Sequence, residues 1–107
     1  MNLTNLKKYI KTIETGKRPQ GGATNAGIPS LGGEHINING GLNLDEDRLK
    51  YIPHDYYESL FKGRIQENDI LVVKDGATTG KVAFVDRSFP FKEACINEHV
   101  FLIRTIE

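Results

Sequence analysis

Apolar residues in the first fifteen positions recur at every third or fourth position: Leu3, Leu6, Ile10 and Ile13. This spacing predicts an amphipathic helix at the start of the chain. Polar residues on both sides of Ile13 fit a first strand over residues 12–15 equally well, so both alternatives stay open at this point. Residues 16–22 hold three glycines and a proline, and they predict a loop because these residues break any periodic structure.

Short apolar runs bounded by glycine predict strands in the middle of the chain. Ile28–Leu31 is one such run, and it stops at Gly32. Ile36 and Ile38, followed by the glycine pair at 40 and 41, predict a second short strand and a turn.

Residues 53–62 have the punctuation of a helix, because Pro53 suits its opening and Gly63 follows its end. The spacing of the apolar residues predicts a buried stripe of four side chains: Tyr56, Tyr57, Leu60 and Phe61.

After this helix the apolar residues no longer follow helical spacing, and three apolar runs predict strands. Residues 69–74 form the first run, residues 81–85 the second, and residues 95–103 the third, with a turn at Asp75 and Gly76. The predicted fold class is therefore α+β, with a curled, mostly antiparallel sheet and one or two short helices. A chain of 107 residues fits one domain, here residues 1–107.

Composition limits the location and the binding partners that we expect for the protein. No apolar stretch approaches the roughly 20 residues of a membrane span, so no membrane association is expected. A single cysteine, Cys95, cannot form an internal disulfide, which favours a reducing, cytoplasmic location. The net charge is zero, but residues 1–22 carry five lysines and arginines against one glutamate. Such a local basic segment can hold phosphate although the whole chain is neutral.

Sequence patterns for catalysis and cofactors are weak. Residues 76–81 resemble a phosphate-binding loop, but three residues instead of four separate the glycines, and Val82 stands where Ser or Thr is needed. Cys95 lies among strand residues, which is typical of a small core residue rather than of a nucleophile. We therefore expect neither an enzyme nor a bound cofactor.

Two Glu-His pairs, Glu34 with His35 and Glu98 with His99, offer the residue types of a zinc site. Adjacent residues of an extended chain point to opposite faces, so only one member of each pair could readily join a common site. Hydrogen bonds that brace loops are the favoured role, and no metal ligand is predicted.

Three segments, residues 27–36, 69–85 and 97–104, together resemble one family: the target-recognition domain of the DNA specificity subunit of type I restriction–modification enzymes. A strand that runs into Lys-Asp-Gly-Ala-Thr-Thr-Gly-Lys at residues 74–81 is the most specific part of the resemblance. The Gly-Lys-Arg-Pro segment at 16–19 and the Tyr-Ile-Pro at 51–53, before a Tyr-rich helix, are similar too. The match runs in order from about residue 3 to residue 104.

The resemblance implies a non-catalytic module that recognises a double-stranded DNA sequence and positions methyltransferase and restriction subunits. Basic and hydroxyl side chains in two glycine-containing loops are the expected DNA-binding residues: Lys17, Arg18, Lys74, Thr78, Thr79 and Lys81. Residues that read bases are expected in less family-like stretches, such as residues 37–43. The alternative is a degenerate fragment that acts as a protein-interaction or oligomerisation module and does not read DNA.

Family domains are usually longer and continue into a spacer helix, so we expect this chain to be the N-terminal portion of a recognition domain. The last apolar strand should then leave an uncovered edge, with apolar surface from five residues: Val100, Phe101, Leu102, Ile103 and Ile106. From this we predict self-association, most simply as a two-fold homodimer.

Overall fold

The computed structural model describes residues 9–76 and 79–106. Within those ranges a 3-10 helix covers Gly33–His35, and the α-helix α1 covers His54–Glu58. The described strands, in chain order, are β1 (Ile10–Thr15), β2 (Ile28–Leu31), β3 (Tyr51–Ile52), β4 (Ile70–Val73), β5 (Val82–Phe84), β6 (Cys95–Ile96) and β7 (Val100–Thr105).

The strands form two sheets. The larger sheet has the order β1-β7-β4-β5, and all of its neighbours are antiparallel. The smaller sheet has the order β3-β2-β6, with β2 and β3 antiparallel and β2 and β6 parallel. The prediction of an α+β chain with mostly antiparallel strands and a short helix is confirmed, although two sheets stand where one was expected. No helix in the described part of the chain has the length and apolar character that crossing a bilayer requires.

The main core lies against one face of the larger sheet. Alternate residues of β4, β5 and β7 point into it, so that Leu71, Ala83 and Leu102 are almost fully buried. Leu31 and Ile96 of the smaller sheet pack against them. A second, smaller cluster lies under α1 and consists of Ile28, Ile52, Tyr57, Leu60 and Cys95.

Cys95 is a buried core residue, as predicted. Its thiol lies close to the Pro29 carbonyl at 3.8 Å, and burial raises the pKa of the thiol to about 11.

A polar network closes the inner face of the larger sheet near its β1 edge. The Arg104 guanidinium donates through Nε and Nη2 to both carboxylate oxygens of Asp69, at 3.0 and 2.9 Å. It also donates to Glu14 at 3.1 Å and to the Arg64 carbonyl at 2.9 Å. The Asp69 side chain is only 1% exposed, and the amide of Gln66 donates to it at 2.8 Å. This network explains why the inner face can hold charged residues.

The helical alternative for the first fifteen residues is wrong for residues 10–15, which form β1. Thr12 and Glu14 point inward, because Glu14 pairs with Arg104, and Ile13 is therefore left 58% exposed on the outer face. Leu3 and Leu6, the other apolar positions of that pattern, lie outside the described residues.

The predicted strand at Ile36 and Ile38 is wrong. Ile36 forms only an isolated bridge with Leu42, and Ile38 is 94% exposed at the turn that follows. That turn is confirmed, because the Gly40 amide donates to the Asn37 carbonyl at 3.1 Å.

The predicted helix begins where expected but ends earlier, at Glu58 instead of residue 62. Its stripe is correct for Tyr57 and Leu60, which are buried, and wrong for Phe61, which is 99% exposed.

The predicted strand over residues 95–103 is two strands in different sheets. The Asn97 side chain accepts a hydrogen bond from the His99 amide at 2.9 Å and turns the chain between β6 and β7. The expected uncovered edge of the last strand is wrong, because β7 is paired on both sides. Of its expected apolar surface, Val100 and Leu102 are fully buried, whereas Phe101 and Ile103 are partly exposed and Ile106 is exposed.

Candidate nucleic-acid interface

A groove of about 480 Å³ lies between the glycine-rich loop at residues 16–22 and the turn at residues 97–99. Both segments adjoin the same end of the larger sheet, because Thr15 at the end of β1 pairs with Phe101 near the start of β7. Charged and titratable side chains dominate its polar lining: Lys17, Arg18, Glu34, Lys50, Glu98 and His99.

The loop that carries Lys17 and Arg18 has a fixed base. A Cβ atom added to Gly16 would lie 2.1 Å from the Asn97 carbonyl oxygen, so only glycine permits this close backbone approach. Pro19 and Gly22 are buried, and the Gly22 amide donates to the Pro19 carbonyl at 2.9 Å. The loop therefore presents its two basic side chains from a packed backbone.

Two of the three cations in the groove are paired with carboxylates. Arg18 Nη1 lies 3.6 Å from Glu98 Oε2, and Lys50 Nζ lies 3.0 Å from Glu34 Oε2. Within residues 9–76 and 79–106, Lys17 makes no salt bridge. An anion that enters the groove would meet Lys17 directly and would compete with Glu98 and Glu34 for the other two cations.

The electrostatics of Glu34 favour its charged form. Partial burial is the largest single effect and raises the pKa of this carboxyl, but the hydrogen bond from Lys50, a backbone hydrogen bond and nearby positive charge together outweigh it, so the pKa lies below its usual value. Glu34 is thus an anion at neutral pH, and it holds Lys50 at the groove.

The Glu-His pairs do not form a common metal site. His35 is fully buried: its Nδ1 accepts from the Gly32 amide at 2.9 Å, and its Nε2 donates to the Arg48 carbonyl at 2.9 Å. It braces a loop, while its neighbour Glu34 faces the groove. The two side chains point apart as predicted, although residues 33–35 form a 3-10 helix and not an extended chain. Glu98 and His99 both line the groove, against that prediction, because residues 97–99 form a turn and not an extended strand.

His99 connects the groove to the second predicted loop. Its Nδ1 lies 2.5 Å from Asp75 Oδ1, and its Nε2 lies 3.8 Å from Glu98 Oε2. The Lys74 amide donates to the His99 carbonyl at 2.9 Å, which places the exposed Lys74 beside the same turn. Three predicted residues, Lys17, Arg18 and Lys74, therefore lie on or next to one surface.

The remaining predicted residues have other surroundings. The Lys81 ammonium is partly buried and donates to the Ile36 carbonyl, so it braces the chain next to the exposed turn at residues 37–40. The Thr79 hydroxyl donates to the Gly76 carbonyl at 2.7 Å, within its own turn. Thr78 lies outside the described residues.

Sequence reasoning missed Lys50, Glu34 and Glu98 as groove residues. Lys50 reaches the groove because its carbonyl accepts from the Ser30 amide at 2.9 Å, a contact between segments twenty residues apart in sequence. No local pattern indicates that pairing. A signal for Glu98 was present, since it lies within the family-like segment 97–104, but nothing in the sequence indicates that Arg18 is its partner.

One group outside the groove has the residue types of a metal site. His54 Nε2 lies 3.6 Å from Glu58 Oε1 and 3.8 Å from Glu93 Oε1. These three side chains could offer one ligand atom each to an ion. All three are exposed, and exposed groups of this kind are common in proteins without a metal.

Comparison with known proteins gives no assignment: no protein-family model and no curated protein matches this chain. A function is therefore inferred from the groove, its charges and the resemblance of the segments that form it.

Proposed function

We propose that this protein is a sequence-specific, non-catalytic DNA-recognition module of a type I restriction–modification specificity subunit. The observation that carries the proposal is the convergence of Lys17, Arg18 and Lys50 on one open groove. Residues 17–19 and 97–99, which belong to two of the segments that resemble the family, both line that groove. Cations on a packed loop beside an open groove are suited to phosphates of a DNA backbone.

The ion pairs set how the groove would bind DNA. Lys17 offers a phosphate contact without breaking a salt bridge of the described structure, whereas Arg18 must exchange Glu98 for a phosphate. Arg18 is 65% exposed and its pair spans 3.6 Å, so this exchange costs little, because exposed pairs contribute about 0–1 kcal/mol. Glu98 thus tunes affinity and does not block it.

Base reading requires side chains that reach past the phosphates. The turn at residues 37–40 is exposed, and Lys81 holds it through the Ile36 carbonyl. We assign sequence reading to this polar turn, and phosphate binding to Lys17, Arg18 and Lys74. In this proposal, methyltransferase and restriction subunits of the same system act on the DNA that this chain binds.

Duplex DNA titration at several salt concentrations tests the proposal. Replacing Lys17 and Arg18 with alanine should weaken binding to every duplex and reduce the salt slope by about two, one for each phosphate that the variant no longer neutralises. The matched control is Arg87→Ala with Lys92→Ala, which removes the same charges from a different, exposed surface. Equally weakened binding in the two double variants, or no DNA binding by the parent chain, would contradict the proposal.

The second candidate function, a protein-interaction module that does not read DNA, is favoured by a separate observation. The outer face of the larger sheet exposes apolar side chains, among them Ile13, Val82 and Phe84. DNA titration separates the two candidates, because an interaction module without DNA reading would show no salt-dependent binding of duplexes.

A further inference from the structure

The face of the larger sheet that points away from the core is a continuous apolar surface, and we call it the outer face. Its first row of cross-strand neighbours is Ile13, Ile103, Ile70 and Phe84. Its second row is Thr15, Phe101, Val72 and Val82. Seven of these eight positions are apolar, and none is charged.

Strand alternation creates this surface. The residues between these positions point inward and form the core or the Arg104 network, so the outward set cannot also be buried by the same packing. Ile13, Val82 and Phe84 are 58%, 46% and 53% exposed, and the other five positions are partly exposed or exposed. The other exposed residue of β1, Lys11, lies on the edge strand beside these rows. A soluble monomer rarely leaves eight adjoining uncharged positions of a sheet open, and large apolar patches are often interaction sites.

We infer that the outer face binds the outer face of a second copy of this chain, around a two-fold axis. A two-fold axis places identical apolar rows against each other, and the absence of charge at these eight positions means that no like charges meet. Two sheets packed in this way lie about 10 Å apart, with side chains interdigitated as in a sandwich.

The area fits a weak dimer. The three most exposed apolar residues have about half of their surface accessible, and with the less exposed positions the outer face offers roughly 500 Å² on each copy. The dimer would then bury roughly 1000 Å² in total, which is the lower limit for a specific interface. The dimer is therefore expected to dissociate on dilution.

The lining of the outer face argues for a second copy rather than for a charged partner. A nucleic acid needs cations, and the eight positions offer none. The groove lies at one end of the same sheet, beyond Thr15 and before Phe101, so a face-to-face dimer leaves it open. Each dimer would carry two grooves.

Light scattering or sedimentation of the full chain over a hundredfold dilution range tests the inference. The parent chain should change from dimer to monomer on dilution. Phe84→Glu places a charge in the interface twice, and it should raise the dissociation constant at least tenfold. Ile13→Lys, at the other end of the same row, is a second test whose folding is checked by circular dichroism.

The matched control is Phe61→Glu, because Phe61 is 99% exposed but lies outside the sheet, after α1. This variant should dimerise like the parent chain. A parent chain that stays monomeric at every concentration would overturn the inference. A dimer that survives both Phe84→Glu and Ile13→Lys, or that Phe61→Glu disrupts equally, would also overturn it, since the contact would then use another surface.

Discussion

Replacing Arg104 with leucine should be among the most destabilising single substitutions in this chain. The Asp69 carboxylate, 1% exposed, would lose both hydrogen bonds from the guanidinium and keep only the Gln66 amide. Loss of one partner from a buried ion pair costs about 3–5 kcal/mol. Native domains have a total free energy of unfolding of about 5–15 kcal/mol, so Arg104→Leu should remove a large share of the stability.

Asp69→Leu should cost less than Arg104→Leu. The Arg104 side chain is 19% exposed and would keep Glu14 and the Arg64 carbonyl as partners. We expect a loss of about 2–3 kcal/mol for this variant. The Asp69→Leu, Arg104→Leu double variant should be more stable than the sum of the single losses predicts, because it leaves no buried charge unpaired.

Urea unfolding followed by far-UV circular dichroism measures these free energies. Arg87→Leu is the matched control, since Arg87 is exposed, and it should change the free energy of unfolding by less than about 0.5 kcal/mol. If Arg104→Leu costs no more than Arg87→Leu, or if the double variant equals the sum of the single losses, the network does not stabilise the fold as argued.

Three further predictions concern single residues. Gly16→Ala should lower the free energy of unfolding, measured in urea, by more than about 2 kcal/mol, because the alanine Cβ would overlap the Asn97 carbonyl oxygen. A decrease below about 0.5 kcal/mol would contradict the fixed base of the loop. Cys95 should resist alkylation at pH 8, because a pKa of about 11 leaves about one thiol in a thousand ionised. Labelling in urea should therefore follow unfolding, and rapid labelling of the native chain would refute the burial of the thiol. Burial raises the pKa of Glu34, but the Lys50 hydrogen bond together with a backbone hydrogen bond and nearby positive charge keeps that pKa below its usual value. The stability that Glu34 contributes is therefore present above the usual value and lost as the pH falls through the folded pKa. Glu34→Gln should therefore cost up to about 1 kcal/mol at pH 7 and almost nothing at pH 2, and an equal cost at both values would contradict this assignment.

Local patterns predicted the parts of the fold that depend on near neighbours in sequence. The hairpin of β4 and β5 follows from two apolar runs and a glycine-containing turn, and Pro53 marks the start of α1 correctly. Patterns failed where a distant partner decides the outcome. Ile13 points outward because Glu14 must face Arg104, which lies ninety residues away.

In the candidate site, too, the features set by near neighbours in sequence could be predicted, and those set by distant residues could not. Lys17 and Arg18 could be predicted as a basic loop, because glycine and proline identify the loop locally. Their position opposite Glu98 depends on the close approach of Gly16 to Asn97, which no spacing reveals. The sequence predicts Lys81 as an exposed cation of a loop, yet its ammonium donates to the Ile36 carbonyl. This contact forms because residue 36 lies next to the start of β5, although it is 45 residues away in sequence.

The most direct test of the proposed function is the affinity of Glu98→Gln for duplex DNA, measured beside the parent chain at low and physiological salt. If Arg18 binds phosphate, removing the carboxylate that pairs with it should strengthen binding several-fold at low salt, and combining Glu98→Gln with Arg18→Ala should abolish the gain. An affinity that Glu98→Gln leaves unchanged, or a gain that persists without Arg18, would contradict DNA binding in this groove.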